Sequence, residues 1–123
     1  MNAENLNLIG RVFVAFYFLW ATWFNIKAWG HHVAEFKRVG ISQGSVALGI
    51  GLVAQLAGSV LLLWPGQVVI GGVLLIVFTA GADLLFHRYW TYPDPNEQVI
   101  HKFFLFEHVA LIGGLLGLIA PHL

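Results

Sequence analysis

Four long apolar stretches, separated by short polar segments, dominate the pattern of hydrophobic and polar positions along the chain. Each stretch holds about 20 residues, which at roughly 1.5 Å per residue covers the hydrocarbon core of a bilayer. The stretches lack the strict alternation of a membrane β-strand, and in lipid a helix satisfies its own backbone hydrogen bonds. The pattern predicts an all-α, transmembrane four-helix bundle with spans at 8–29, 45–64, 67–86 and 102–120.

The connections between these spans differ in character. Trp64, Pro65 and Gly66 predict a tight turn, because proline cannot continue a helix and glycine accepts positive φ. Residues 31–40 carry apolar side chains at helical spacing with charged residues between them, which predicts a short interfacial helix. Before the fourth span, Asn96 and Glu97 can open a helical lead. The whole chain, 1–123, is predicted to form a single membrane domain.

Composition excludes several classes of protein. The chain is 59% hydrophobic and only 10% charged, far from the balance of a soluble globular domain. Six basic and six acidic residues leave a net charge of zero, so no basic surface indicates a nucleic-acid partner. Cysteine is absent, which excludes thiolate metal sites and any dithiol relay within this chain.

Basic residues are distributed unequally between the two ends of the predicted spans. The end with both chain termini holds only Arg11 near a membrane boundary, and the opposite end holds Lys27, Lys37, Arg38, Arg88 and Lys102. The positive-inside rule therefore predicts an inner-membrane, multi-pass protein with both termini outside, in the periplasm, and the two long loops in the cytoplasm.

Several ionisable side chains fall inside the predicted spans, where each costs about 2.5–3.5 kcal/mol to insert. The third span carries Asp83 and His87, the fourth carries Glu107 and His108, and Lys27 ends the first span. By the helical rise, all five lie within roughly 10 Å of the same membrane surface. The sequence therefore predicts that they form one polar cluster.

Two interpretations of this cluster remain open at the level of the sequence. In the structural interpretation, Lys27 neutralises Asp83 or Glu107, and the buried network fixes the register of the bundle. In the functional interpretation, the cluster binds a metal or an amphipathic ligand such as a quinone. The candidate ligands of a divalent metal such as iron or zinc are Asp83, His87, Glu107 and His108. The candidate cofactor-binding residues are Lys27, Gln55, Asp83, His87, Trp90 and His108.

Five segments along the chain carry a family resemblance: FNIKAW, a stretch that closes on VGI, QLAGSVLLLWPG, FTAGADLLFHRYWTYPDP and FEHVALIGGLLGLIA. In this order they resemble the DoxX family of small four-helix membrane proteins over nearly the whole chain. The most specific part runs from His87 to Leu118. Two positions depart from the family pattern: Gln55 replaces an expected acidic residue, and Glu107 with His108 replaces an expected Lys-Asn pair.

The resemblance implies an integral membrane subunit of an oxidoreductase or respiratory-type system, because DoxX-like proteins are associated with such systems. The related DoxD-type subunit resembles part of a thiosulfate:quinone oxidoreductase, and the matching positions here are Lys27, Asp83, His87 and Trp90. The alternatives are a non-catalytic accessory or anchoring subunit of a larger membrane complex, and a small transporter or lipid-modifying protein. Expected partners are the lipid bilayer and other membrane subunits or further copies of this chain.

Overall fold

The computed structural model describes all residues from 1 to 123, and every regular element in it is helical. The helices are α1 (Ala3–Lys27), α2 (Trp29–Arg38), α3 (Gly44–Leu63), α4 (Val68–Phe86) and α5 (Pro95–Ile119), with 3-10 turns at Tyr89–Thr91 and Ala120–His122. Helices α1, α3, α4 and α5 are long and apolar enough to cross a membrane. The predicted transmembrane four-helix bundle is confirmed, and α2 is the short helix between the first two spans.

Two of the long helices extend beyond the apolar stretches that predict them. Helix α1 begins at Ala3, because the side chain of Asn2 caps it by accepting the Asn5 N–H. Helix α5 begins at Pro95, where the Asp94 side chain accepts the Asn96 N–H. Hydropathy alone misses these ends, since polar first turns lie outside the apolar stretch and are set by capping.

Helices α3 and α4 form an antiparallel hairpin around the Pro65 turn, where Gly66 has a φ of 76°. Gly71 lies so close to α3 that an added Cβ would stand 2.3 Å from the Leu62 backbone nitrogen. The main core lies beside this contact and consists of Ala15, Phe18, Leu62, Val68, Leu75, Leu115 and Ile119. Contributions from α1, α3, α4 and α5 make this core the common centre of the bundle.

Side-chain hydrogen bonds to backbone carbonyls join three helices at the end that carries the chain termini. The buried guanidinium of Arg11 donates from Nη1 to the carbonyl oxygen of Leu62 at 2.9 Å, near the C-terminal end of α3. Asn7 Nδ2 donates to the carbonyl oxygen of Leu118 at 2.9 Å, near the end of α5. Arg11 therefore belongs to this end, and the predicted polar cluster lies toward the other.

Candidate ligand-binding site

The centre of the candidate site is a pair formed by Asp83 and His108. Asp83 lies in the last turn of α4, and His108 lies near the middle of the longer α5, which runs antiparallel beside it. The His108 Nδ1 atom stands 2.5 Å from Asp83 Oδ1. The Asp83 side chain is 8% exposed and the His108 side chain 15%, so the contact is largely shielded. Such a short contact between a carboxylate and an imidazole is a charge-assisted hydrogen bond.

His87 joins this pair from the C-terminal cap of α4, one turn beyond Asp83. Its ring centroid lies 5.1 Å from that of His108, with the rings edge to face. One potential ligand atom from each of Asp83, His87 and His108 lies within 4.8 Å of the other two. The structure therefore brings together three of the four predicted metal ligands.

A second histidine and a carboxylate extend the group toward the loop before α5. His87 Nδ1 lies 2.9 Å from His101 Nδ1, and His101 Nε2 lies 3.2 Å from Glu97 Oε2. The ring of Tyr92 stacks on His101 with centroids 4.0 Å apart and planes 7° from parallel. The Glu97 side chain is 49% exposed, so this chain of contacts leads from the protein surface to Asp83, His87 and His108, which together are called the Asp83 group below.

Tyr92 also anchors the loop to α2. Its hydroxyl donates to the carbonyl oxygen of Phe86 at 2.6 Å and accepts from Arg38 Nη2 at 2.6 Å. Burial raises the pKa of Tyr92 to about 12, and the nearby charge of Glu35 acts in the same direction. The hydroxyl therefore keeps its proton and holds the loop against the end of α4.

A groove between α1 and α5 reaches the site from the outer surface of the bundle. It is lined by Tyr17, Glu107, His108 and Leu111. Glu107 and Tyr17 are both exposed there, whereas the adjacent His108 turns toward Asp83. Because α1 and α5 are long and apolar enough to cross a membrane, a groove on their outer surface faces lipid when the bundle is inserted in a bilayer. Glu107 thus lies beside the Asp83 group and outside it.

Gln55 belongs to a different polar network. It is buried in α3 and accepts a long hydrogen bond, 3.4 Å, from Asn25 Nδ2, while Asn25 Oδ1 lies 3.0 Å from His32 Nε2. Burial lowers the pKa of His32, and the neighbouring His31 lowers it further. This network joins α1, α2 and α3, so Gln55 stabilises a neighbouring part of the bundle, and its side chain makes no hydrogen bond to Asp83, His87 or His108.

The remaining predicted site residues lie outside the cluster. Lys27 is exposed at the end of α1, with its ammonium 5.5 Å from the centre of the Trp23 ring, and it pairs with neither Asp83 nor Glu107. Trp90 is 61% exposed on the 3-10 turn and contacts Tyr89 edge to face. The partner of Asp83 is therefore His108 and not a lysine.

Glu97 and Tyr92 are not among the residues that the sequence predicts for the site. A signal for Glu97 was available, because Glu97 and His101 are four residues apart and His101 and His108 seven, which places all three near one face of α5. No comparable signal identifies Tyr92, since its contact with His101 crosses a loop whose path is set by the fold.

Comparisons with protein-family profiles, curated proteins and solved structures found no match to this chain. The resemblance to the DoxX family therefore stays a prediction from the quoted segments.

Proposed function

We propose that this chain is a DoxX-like integral membrane subunit of an oxidoreductase system and that it binds a quinone headgroup in the groove between α1 and α5. The observation that carries the proposal is that polar groups line a lipid-facing groove: the hydroxyl of Tyr17, the carboxyl of Glu107 and the imidazole of His108. Quinones dissolve in the hydrocarbon core, so a lateral groove with a few polar groups matches their route of entry.

The chemistry of the groove matches both redox states of such a ligand. The Tyr17 hydroxyl can donate to a quinone carbonyl, and the exposed Glu107 carboxylate can accept from a quinol hydroxyl. Leu111 supplies an apolar wall for the ring. An exposed carboxylate within a membrane span is costly, which favours a functional reason for its position.

In this proposal, the electrons that reduce the quinone come from another subunit. Reduction of a quinone to a quinol takes two electrons and two protons, and this chain has no cysteine for a dithiol relay. We assign the electrons to a partner subunit that carries a redox cofactor. The unequal distribution of basic residues supports an inner-membrane location with both termini in the periplasm. In that orientation the Asp83 end of the bundle lies on the cytoplasmic side.

Binding of a short-chain ubiquinone and a short-chain menaquinone to the full chain in lipid nanodiscs tests the proposal. We expect saturable binding that is weakened at least tenfold in Tyr17→Phe and in Glu107→Gln, since each loses one polar contact in a dry site. Phe13→Leu, an exposed substitution on the same helix, is the control and should bind as the wild type. Absence of saturable binding of both probes contradicts the proposal. Native mass spectrometry from the source membrane then identifies the partner subunit.

A further inference from the structure

The hydrogen bonds around His87 determine which of its ring nitrogens carries the proton. Glu97 is a carboxylate and only accepts, so His101 donates to it from Nε2. A neutral His101 then has a lone pair at Nδ1, and His87 must donate to it from its own Nδ1. The network therefore assigns His87 the tautomer whose Nε2 atom presents a free lone pair.

For His108, Nδ1 donates to Asp83 Oδ1 when no ion is bound. An ion shared by Asp83 and His108 takes the place of this proton, because Nε2 lies on the far side of the ring from Asp83; Nδ1 is then the ligand atom and Nε2 carries the proton. The hydrogen bonds that these two rings make with other side chains both use Nδ1. For His87, an unpartnered Nε2 lone pair together with a hydrogen-bonded partner on Nδ1 is the arrangement typical of a histidine that ligates a metal.

Distances in the group agree with one shared ion. The potential ligand atoms of Asp83, His87 and His108 all lie within 4.8 Å of one another. Ligand atoms on one first-row metal stand about 3–3.5 Å apart, given bonds of about 2.0–2.1 Å. Small side-chain rotations are enough to bring ligand atoms that lie within 4.8 Å of one another to this spacing. The hydroxyl of Thr79, one turn from Asp83 on α4, is buried and makes no hydrogen bond.

We propose that Asp83, His87 and His108 bind one divalent first-row transition-metal ion, with His101 and Glu97 as outer partners that orient His87. Two imidazoles and one carboxylate suit iron or zinc and disfavour magnesium and calcium, which take oxygen ligands. Three protein ligands leave coordination positions open, as in catalytic metal sites. Glu107 is not a ligand in this assignment, because its exposed side chain lines the groove and none of its oxygens belongs to the group of ligand atoms within 4.8 Å of one another.

The proposal does not depend on quinone binding, which is assigned to Tyr17 and Glu107. Because His108 belongs to both the metal group and the groove wall, an ion bound here lies next to the proposed quinone site. The two proposals can therefore fail separately. If the protein binds no metal, the effect of Tyr17→Phe on quinone binding can still be measured. If it binds no quinone, the number of metal ions bound per chain can still be measured.

Metal binding to the full chain tests this inference. The protein is purified in detergent with a tag that contains no histidine, stripped with chelator and titrated with Co(II), whose visible absorption reports coordination, and with Zn(II), counted by elemental analysis. We expect one ion per chain. His87→Ala and His108→Ala should each lower the affinity at least 100-fold, and His101→Phe should lower it about 10–100-fold through the lost outer partner.

The chain provides matched controls in the histidines of α2 and the C-terminus. His31→Ala and His122→Ala should retain full metal affinity, since both residues lie outside the Asp83 group. Thermal unfolding verifies that each variant is folded, and where His87→Ala is not, the comparison of His101→Phe with His122→Ala decides. A wild type that takes up no Co(II) or Zn(II), or variants of His87, His101 and His108 that all bind as His122→Ala does, overturns the inference.

Discussion

The Nδ1 atom of His108 and the Oδ1 atom of Asp83 stand 2.5 Å apart and link the middle of α5 to the last turn of α4. Asp83 forms no other ion pair, so the carboxylate depends on this one imidazole. The pair also orients the ring that lines the groove. Its loss therefore affects both the stability of the bundle and the candidate site.

Replacing His108 by leucine is expected to destabilise the metal-free protein by about 3 kcal/mol, because removal of one partner leaves a shielded carboxylate uncompensated. The double variant Asp83→Leu/His108→Leu should be less destabilised than the sum of the two single variants. The measurement is the free energy of unfolding in mixed micelles for all four proteins, after treatment with chelator. Additive effects, within about 0.5 kcal/mol, would show that the two side chains are not coupled.

Gly71→Ala tests the close approach of α3 and α4. The added methyl group would stand 2.3 Å from the Leu62 nitrogen and 2.6 Å from the Leu61 carbonyl carbon, and backbone atoms cannot rotate away. We expect a loss of about 1–3 kcal/mol in the free energy of unfolding. Gly81→Ala on the same helix is the control, since nothing lies within 4 Å of its added methyl group. Equal stability of the two variants contradicts the described packing.

Arg11→Met is expected to destabilise the bundle by about 1.5–3 kcal/mol, because it removes a charged donor from the Leu62 carbonyl and another from Asn7. The control is Arg88→Met, whose side chain is exposed and should change stability by no more than about 0.5 kcal/mol. Unfolding in mixed micelles measures both. An Arg11→Met variant as stable as Arg88→Met would show that this buried contact contributes little.

Tyr92→Phe should lower stability by about 1–2 kcal/mol near neutral pH, since it removes the hydrogen bond to the Phe86 carbonyl and the one from Arg38. The pKa of Tyr92 is about 12 in the folded protein and 10.0 ordinarily, so the unfolded chain loses this proton first. The contribution is complete below pH 10 and is lost as the pH rises toward 12. The stability difference between wild type and Tyr92→Phe should therefore shrink over that window, with Tyr89→Phe as the control.

His32 gives stability the opposite dependence on pH. Its pKa in the folded protein lies below the ordinary 6.5, so the folded state binds fewer protons than the unfolded chain. The contribution is present above pH 6.5 and is lost as the pH falls through the lowered pKa. His32→Gln should make stability fall less steeply below pH 6.5 than in the wild type. His122→Gln, at the opposite end of the bundle, should leave the slope unchanged.

Hydropathy and length were sufficient to predict the four spans, the turn at Pro65 and a helix near residues 31–40. They also predicted that Asp83, His87 and His108 share one depth, because the position of a residue along the membrane normal follows from the helical rise. Capping by Asn2 and Asp94 extended α1 and α5 beyond the apolar stretches, which hydropathy does not report.

Rotation of each helix about its axis was decided only by the tertiary structure. Helix α5 is apolar around nearly its whole circumference, so no hydrophobic stripe indicates which side faces inward. Glu107 and His108 are adjacent and point about 100° apart on a helix, and packing against α4 turns His108 toward Asp83 and leaves Glu107 in the groove. The rotations of α1 and α3 about their own axes likewise place Gln55 beside Asn25 and leave Lys27 exposed. In lipid, depth follows from the free energy of transfer of each side chain, whereas rotation follows from contacts between helices that a single sequence does not report.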